Sequence, residues 1–232
     1  MSNFKKTIMQ RSILCLFLFF SFQFLYSQQT KAIKPDYEKI KTSIENKKLE
    51  SYYPKLLERL KVRDTTLTSE DFRNLYYGYS FQKEYEPYAR LNDKNLEKLL
   101  QKDSLIESDY KSFIELTNKY LDHNPFDLRL MNMLAYVYHI SKDEVMSRKT
   151  AYIMNNIIDT IISTGDGLTC ESAFHVITTS DEYTLLSVFE LESQGQSLVG
   201  SCDYLQFEKG KFKIDGLYFD VSKLFESMMR KY

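Results

Sequence analysis

Residues 161–178 read Ile161-Ile162-Ser163-Thr164-Gly165-Asp166-Gly167-Leu168-Thr169-Cys170-Glu171-Ser172-Ala173-Phe174-His175-Val176-Ile177-Thr178, and the hydrophobic period changes inside them. Upstream, Val145, Ile153, Met154, Ile157, Ile158 and Ile161 recur at helical spacing. Downstream, Phe174, Val176 and Thr178 alternate with His175 and Ile177, as along a strand. Gly165-Asp166-Gly167 divides the two, because glycine tolerates the positive φ of a helix stop or turn. The division gives a helical region over 36–164 and a small α+β region over 165–232, with a linker over 28–35.

Working back from that point, residues 36–162 keep the helical period. Tyr37, Ile40 and Ile44 fall on one face, and Pro54 suits the first turn of a helix carrying Leu56, Leu57 and Leu60. Thr68 with Asp71 reads as a capping box ahead of Phe72, Leu75, Tyr76 and Tyr79. Asn92 is read as the cap of a helix with Leu96, Leu99 and Leu100, and Ser108 as the start of one with Phe113, Leu116 and Tyr120. Asn124-Pro125 breaks the chain. Ser141 and Glu144 are read as a second capping box. Working forward, Ser180-Asp181-Glu182 starts a short helix carrying Tyr183, Leu186 and Phe189. Gln196 to Phe207 reads as extended, Lys209-Gly210-Lys211 as a hairpin turn into Phe212 to Phe219, and Val221, Leu224, Phe225 and Met228 as a last helix.

The first 27 residues are of another kind. Lys5, Lys6 and Arg11 precede an apolar stretch from Ile13 to Leu25, and Ser27 is followed by the polar Gln28-Gln29-Thr30-Lys31. This is the layout of a secretory leader, cut near Ser27. The apolar stretch is shorter than the roughly 20 residues that span a bilayer. Cys15 follows Leu14 near the start of the stretch, which is the wrong place for lipid attachment. The expected address is therefore periplasmic or secreted, with no stable membrane span once the leader is removed.

Composition agrees with a folded, mildly acidic protein. The 232 residues carry 31 Lys+Arg against 32 Asp+Glu, 43% are apolar and 15% aromatic. Residues 1–27 hold three of the bases and no acid, so the rest of the chain has a net charge of −4. That excludes a nucleic-acid binder working through bulk positive charge. Loss of the leader leaves Cys170 and Cys202, which allow one disulfide in an oxidising compartment or stand as two unpaired thiols.

Met131, Leu134, Ala135 and Tyr138 have the large–small–aromatic spacing of a tetratricopeptide helix, and Phe72, Leu75, Tyr76 and Tyr79 repeat it. The two sets lie 59 residues apart rather than one period of about 34. The fold expected is α+β and mainly α: tetratricopeptide-like helical hairpins followed by a small, mostly antiparallel sheet with one or two covering helices. An ordinary irregular helical region is the alternative to the hairpins. The segments Phe72-Arg73-Asn74-Leu75-Tyr76-Tyr77-Gly78-Tyr79, Asn124-Pro125, Gly165-Asp166-Gly167, Ala173-Phe174-His175-Val176-Ile177 and Gly216-Leu217-Tyr218-Phe219-Asp220-Val221 carry a further resemblance. With them, the stretch from Asp36 to Phe225 resembles an uncharacterised family of exported bacterial proteins, domain of unknown function four-nine-one-nine. The resemblance implies a Gram-negative exported protein and supplies no catalytic residues.

Motifs for chemistry are few. The histidines are His123, His139 and His175, with no His-x-x-x-His spacing, so no zinc site is expected. His123 and His139 stand near helix ends, where a histidine complements the helix dipole. The chain has neither GxxxxGK[ST] nor GxGxxG. Ser197, between Gly195 and Gly200, misses the nucleophile-elbow spacing. One polar group merits attention as an acid/base candidate: His175 with Asp181 and Glu182, beside the glycine loop. The competing reading is a strand-end histidine followed by acids that cap the next helix. Tyr77, Tyr85, Tyr88 and Arg90 form a candidate binding surface, with Tyr77 expected to be exposed because it lies off the Phe72/Tyr76/Tyr79 face. The function expected is a non-enzymatic scaffold for an envelope protein or peptide, with no cofactor. An enzyme using His175 and Asp181 or Glu182, and a protein of the envelope stress response, are the alternatives.

Overall fold

Helix α3, Ser69–Tyr79, is the pillar of the structure, a computed structural model that describes residues 32–230. Its start is the expected capping box: Thr68 Oγ1 accepts from Asp71 N at 3.2 Å, and Asp71 Oδ2 accepts from Thr68 N at 2.9 Å. From Asn74 to Tyr79 every residue is buried, which marks a helix surrounded by other elements. α1 (Tyr37–Glu45) lies against it, and Gly78 lets it approach: a Cβ there would meet Ile44 Cδ1 at 3.0 Å. α2 (Tyr53–Lys61), with Pro54 in its first turn, packs on α3 as well.

The helices then continue as α4 (Lys94–Leu100), α5 (Glu107–Leu121), α6 (Leu128–Ile140) and α7 (Glu144–Ile162). Three starts differ from expectation. Asp93 caps α4, not Asn92, with Oδ1 accepting from Asn95 N and Leu96 N. α5 opens at Glu107 rather than Ser108, with Asp109 Oδ2 accepting from Ile106 N at 3.2 Å. Asp143, not Ser141, caps α7, accepting from Met146 N at 3.0 Å. In each case a carboxylate holds the free N–H groups, since its charge also suits the positive helix end. Lys142, at φ 71°, makes the tight turn between α6 and α7.

After α7 the chain enters the loop of Gly165 and Gly167. Both glycines are required by space: a Cβ on Gly165 would lie 1.9 Å from Ser172 O, and one on Gly167 would lie 2.6 Å from the Phe174 ring. Gly167 also has φ +71°, which disfavours any side chain. Then come β1 (Phe174–His175), α8 (Thr179–Val188), β2 (Ser193–Val199), β3 (Cys202–Phe207), β4 (Gly216–Asp220) and α9 (Ser222–Arg230). The sheet order is β1-β4-β3-β2, with β1 parallel to β4 and the other two pairings antiparallel. The segment read as one extended run from Gln196 is a hairpin, turned at Gly200 with φ +65°. β4 starts at Gly216, four residues after Phe212, because residues 208–215 are spent in the connecting loop.

The fold is thus α+β and mainly α, and one core joins both regions: Phe72, Tyr76 and Ile157 share a cluster with Phe174, Leu205 and Phe219. A smaller cluster of Leu96, Phe113, Leu130 and Val137 seats α4 and α5 on α6. At one margin of the core α9 returns to α1, with Lys223 Nζ 4.1 Å from the centre of the Tyr37 ring. Cys170 and Cys202 are bonded, with Cα atoms 5.8 Å apart, and so tie the glycine loop to β3. No helix among the described residues is long and apolar enough to cross a membrane. The expected leader, with its cut near Ser27, and Cys15 lie outside the described residues.

Candidate functional site

Helix α8 brings two acids into the interior. Thr178 caps it, its Oγ1 accepting from Asp181 N at 3.3 Å while Asp181 Oδ2 accepts from Thr178 N at 3.2 Å. This geometry places Asp181 and Glu182 under the helix, both fully buried. Tyr76 OH donates to Asp181 Oδ2 at 2.7 Å and accepts from Ile177 N at 3.2 Å. Asp181 Oδ1 has no partner. Burial pushes the Asp181 carboxyl up to about 7, against the opposing pull of its bonds to Tyr76 and Thr178.

Glu182 is in a harsher place. No protein donor reaches either of its oxygens. Burial, and then the Asp203 and Asp181 charges, push its carboxyl up to about 9. Glu182 therefore keeps its proton at neutral pH, with the Asp203 carboxyl on β3 as its charged neighbour. Burial raises Asp203 too, while Gln196 Nε2 donates to its Oδ2 at 2.6 Å. Tyr183 OH donates to Gln196 Oε1 at 3.1 Å. The chain of contacts from Tyr183 to Glu182 fastens α8 to the β2–β3 hairpin.

His175 is not part of that group. The carboxylate facing it is Asp220, its register partner on β4, with Nδ1 3.8 Å from Oδ1. That distance is beyond a hydrogen bond, and the buried Nδ1 has no partner. Desolvation lowers the His175 pKa, with Asp220 acting in the opposite direction. Ser222 Oγ donates to the same Asp220 Oδ1 at 2.6 Å. Ser222 thus bonds the carboxylate oxygen that faces His175, and the three groups do not form a serine–histidine–acid relay.

The tyrosines divide sharply. Tyr77 is fully buried, against the expectation of exposure, because α3 is enclosed on all sides and α1 supplies the Tyr37 ring at 5.8 Å. Tyr85 is buried as well. Their hydroxyls serve the short strand β1: Tyr77 OH donates to His175 O at 3.2 Å, and Tyr85 OH to Ile177 O at 2.7 Å. With Tyr76 on Ile177 N, three hydroxyls satisfy backbone groups on and just after β1. Removing one is costly. Tyr76→Phe leaves the Ile177 N–H unpaired and takes a donor from Asp181, for an expected loss of about 2 kcal/mol. Urea unfolding at pH 6 measures it, and an unchanged midpoint would show that water replaces the hydroxyl.

Tyr88 and Arg90 are exposed; Arg90 borders two adjoining concavities and Tyr88 only the smaller of them. A groove of about 680 Å³ runs between α6 and α8, with Met154 and Ile158 of α7 in its wall. Arg90, Tyr120, Arg129 and Tyr183 line it. A neighbouring hollow of about 270 Å³ contains Tyr88 and the cap residues Thr178, Thr179 and Ser180, and shares Arg90, Tyr120 and Asp127 with the groove. The volume is within the range of ligand sites. Asp127 caps α6, accepting from Leu130 N at 2.9 Å, and burial raises its carboxyl pKa. Sequence reasoning missed Tyr120, Asp127, Arg129, Tyr183, Asp203 and Asp220. A cap signal existed for Asp127 just after Asn124-Pro125, and Asp203 is a lone acid in an apolar strand. Tyr120, Arg129 and Tyr183 carry no local signal, since they meet only through the packing of three helices.

Among the described residues no three of His, Cys, Asp or Glu are gathered as a metal would require. No curated protein and no solved structure matches this chain. One family model, described as Domain of unknown function, matches residues 38–230. That span runs from α1 to α9 and takes in the glycine loop, the buried acids and the groove, so the chain belongs to the DUF4919 family.

Proposed function

We propose that the protein is an exported, non-enzymatic binding module whose partner lies in the groove between α6 and α8. The groove carries this reading: it is open, of ligand size, and combines apolar walls with the exposed Arg90, Arg129 and Tyr183. The acids Asp181 and Glu182 are fully buried on the inner side of α8, which suits a structural role better than contact with a substrate. The tetratricopeptide-like spacing of α6 supports the same reading, since helical hairpins offer concave surfaces for partners. Export is supported by the basic and apolar pattern of residues 1–27 and by the paired Cys170 and Cys202.

Site-specific photo-crosslinking in living cells tests the groove. A photoreactive residue at Ser187, in the groove wall, should give a discrete adduct, and one at Glu208, in the β3–β4 loop, should give none. Equal labelling from both positions, or none from Ser187, refutes the site. Fractionation with N-terminal sequencing tests the address: a chain beginning near Gln28 outside the cytosol is expected, and an intact Met1 form confined to the cytosol would overturn it.

A further inference from the structure

We infer that the occupant of the groove is an acidic peptide, an extended segment with an Asp or Glu side chain beside an apolar one. The inference rests on the binding reading above and adds the class of ligand.

Charge is the first argument. Arg90 and Arg129 are both exposed and border the same groove, and among the described residues neither guanidinium has a carboxylate within ion-pair distance. Arginine carries a fixed charge and a planar fork that matches a carboxylate with two parallel hydrogen bonds. The opposing charges are Asp127 and Glu86. Asp127 is committed to the α6 cap, and Glu86 borders only the smaller hollow. Along the larger groove Arg90 and Arg129 therefore stand against Asp127 alone, on which the Arg129 charge acts, and the lining keeps an excess of positive charge.

Shape and polarity supply the second argument. Leu128, Met154, Ile158 and Val188 give the groove an apolar wall that an inorganic anion would leave unused. Tyr120 and Tyr183 offer ring faces along the same trough. Anion-binding groups set beside an apolar wall suit a carboxylate side chain with an apolar neighbour in one chain.

Selection from a displayed library of random peptides on the mature, disulfide-bonded protein provides the test. The expected pool is enriched in Asp or Glu next to Leu, Ile or Phe, and its members suppress the Ser187 photo-adduct. Affinity for a synthetic member should fall at least about tenfold in the Arg90→Gln/Arg129→Gln double variant, and should weaken as salt is raised. Both arginines are exposed, so thermal melting of the double variant should match that of the parent. Peptides that suppress the adduct but show no enrichment in acids overturn this inference and leave the binding reading standing. A photo-adduct that no selected peptide suppresses overturns the peptide class. Absence of both the adduct and any retained peptide overturns the groove itself. Full displacement of acidic peptides by millimolar inorganic phosphate would assign the arginines to a free anion instead.

Discussion

Replacing Glu182 by Gln is expected to stabilise the protein at pH 8, by on the order of 3–5 kcal/mol, and to leave it nearly unchanged at pH 4. The carboxyl titrates near its ordinary value in the unfolded chain and at about 9 in the folded one. Between those limits the unfolded state has released a proton that the folded state keeps. Stability therefore falls as pH rises, by about 1.4 kcal/mol per unit for this group, and levels off above about 9. Glutamine has no such proton, yet it retains a donor for Asp203. Asp181 contributes a similar decline that ends near its folded value of about 7. The window from pH 7 to 9 thus isolates Glu182. Thermal melts of the two proteins should diverge across it, and parallel curves would mean that water or a cation reaches the buried carboxylate. Thr66 and Arg59 act oppositely on Asp64, holding it down to about 2, but that carboxylate is at the surface, where solvent screens the effect.

The second large effect concerns the bridge between Cys170 and Cys202, 32 residues apart in the chain. By the loop-closure argument a bridge of that span stabilises by roughly 3–4 kcal/mol, because the unbridged denatured chain has more conformations to explore. A Cys170→Ser/Cys202→Ser variant, or the reduced parent, should show a lower urea midpoint by that amount. The damage should be greatest in the glycine loop and β3, where hydrogen exchange of the Tyr204 and Leu205 amides is expected to quicken first. Two reactive thiols in the denatured, unreduced protein, with no shift on adding reductant, would show that the bond does not form.

What could be read in advance followed the range of the interactions. Helix positions, the change of period at Gly165 and the capping box at Thr68 depend on residues a few places apart, so local pattern reveals them. Cap choice was harder, because Asn92 and Asp93 are adjacent candidates and only the geometry of the free N–H groups selects the carboxylate. The hairpin at Gly200 was hidden because its two strands are continuous in composition. The tyrosine cluster was the sharpest mismatch. Tyr77 and Tyr85 look like a contact surface in the sequence, yet their partners are backbone groups roughly a hundred positions away, which no local period encodes. The same range explains the site. Tyr88 and Arg90 were legible as binding candidates beside a cluster of rings, whereas Arg129 and Tyr183 join Arg90 only after α6, α7 and α8 have packed.

The contact of Lys223 with the Tyr37 ring, and the bond from Tyr76 to Asp181, have a consequence for biosynthesis. The opening helix finds its cover in the closing one, and the central pillar finds its donors and acceptors in segments made much later. A growing polypeptide emerging start first has no way to complete this interior until the segment that forms α9 has appeared. Prematurely terminated copies should be loose, sticky and open to proteases, so quality control would see an all-or-nothing object.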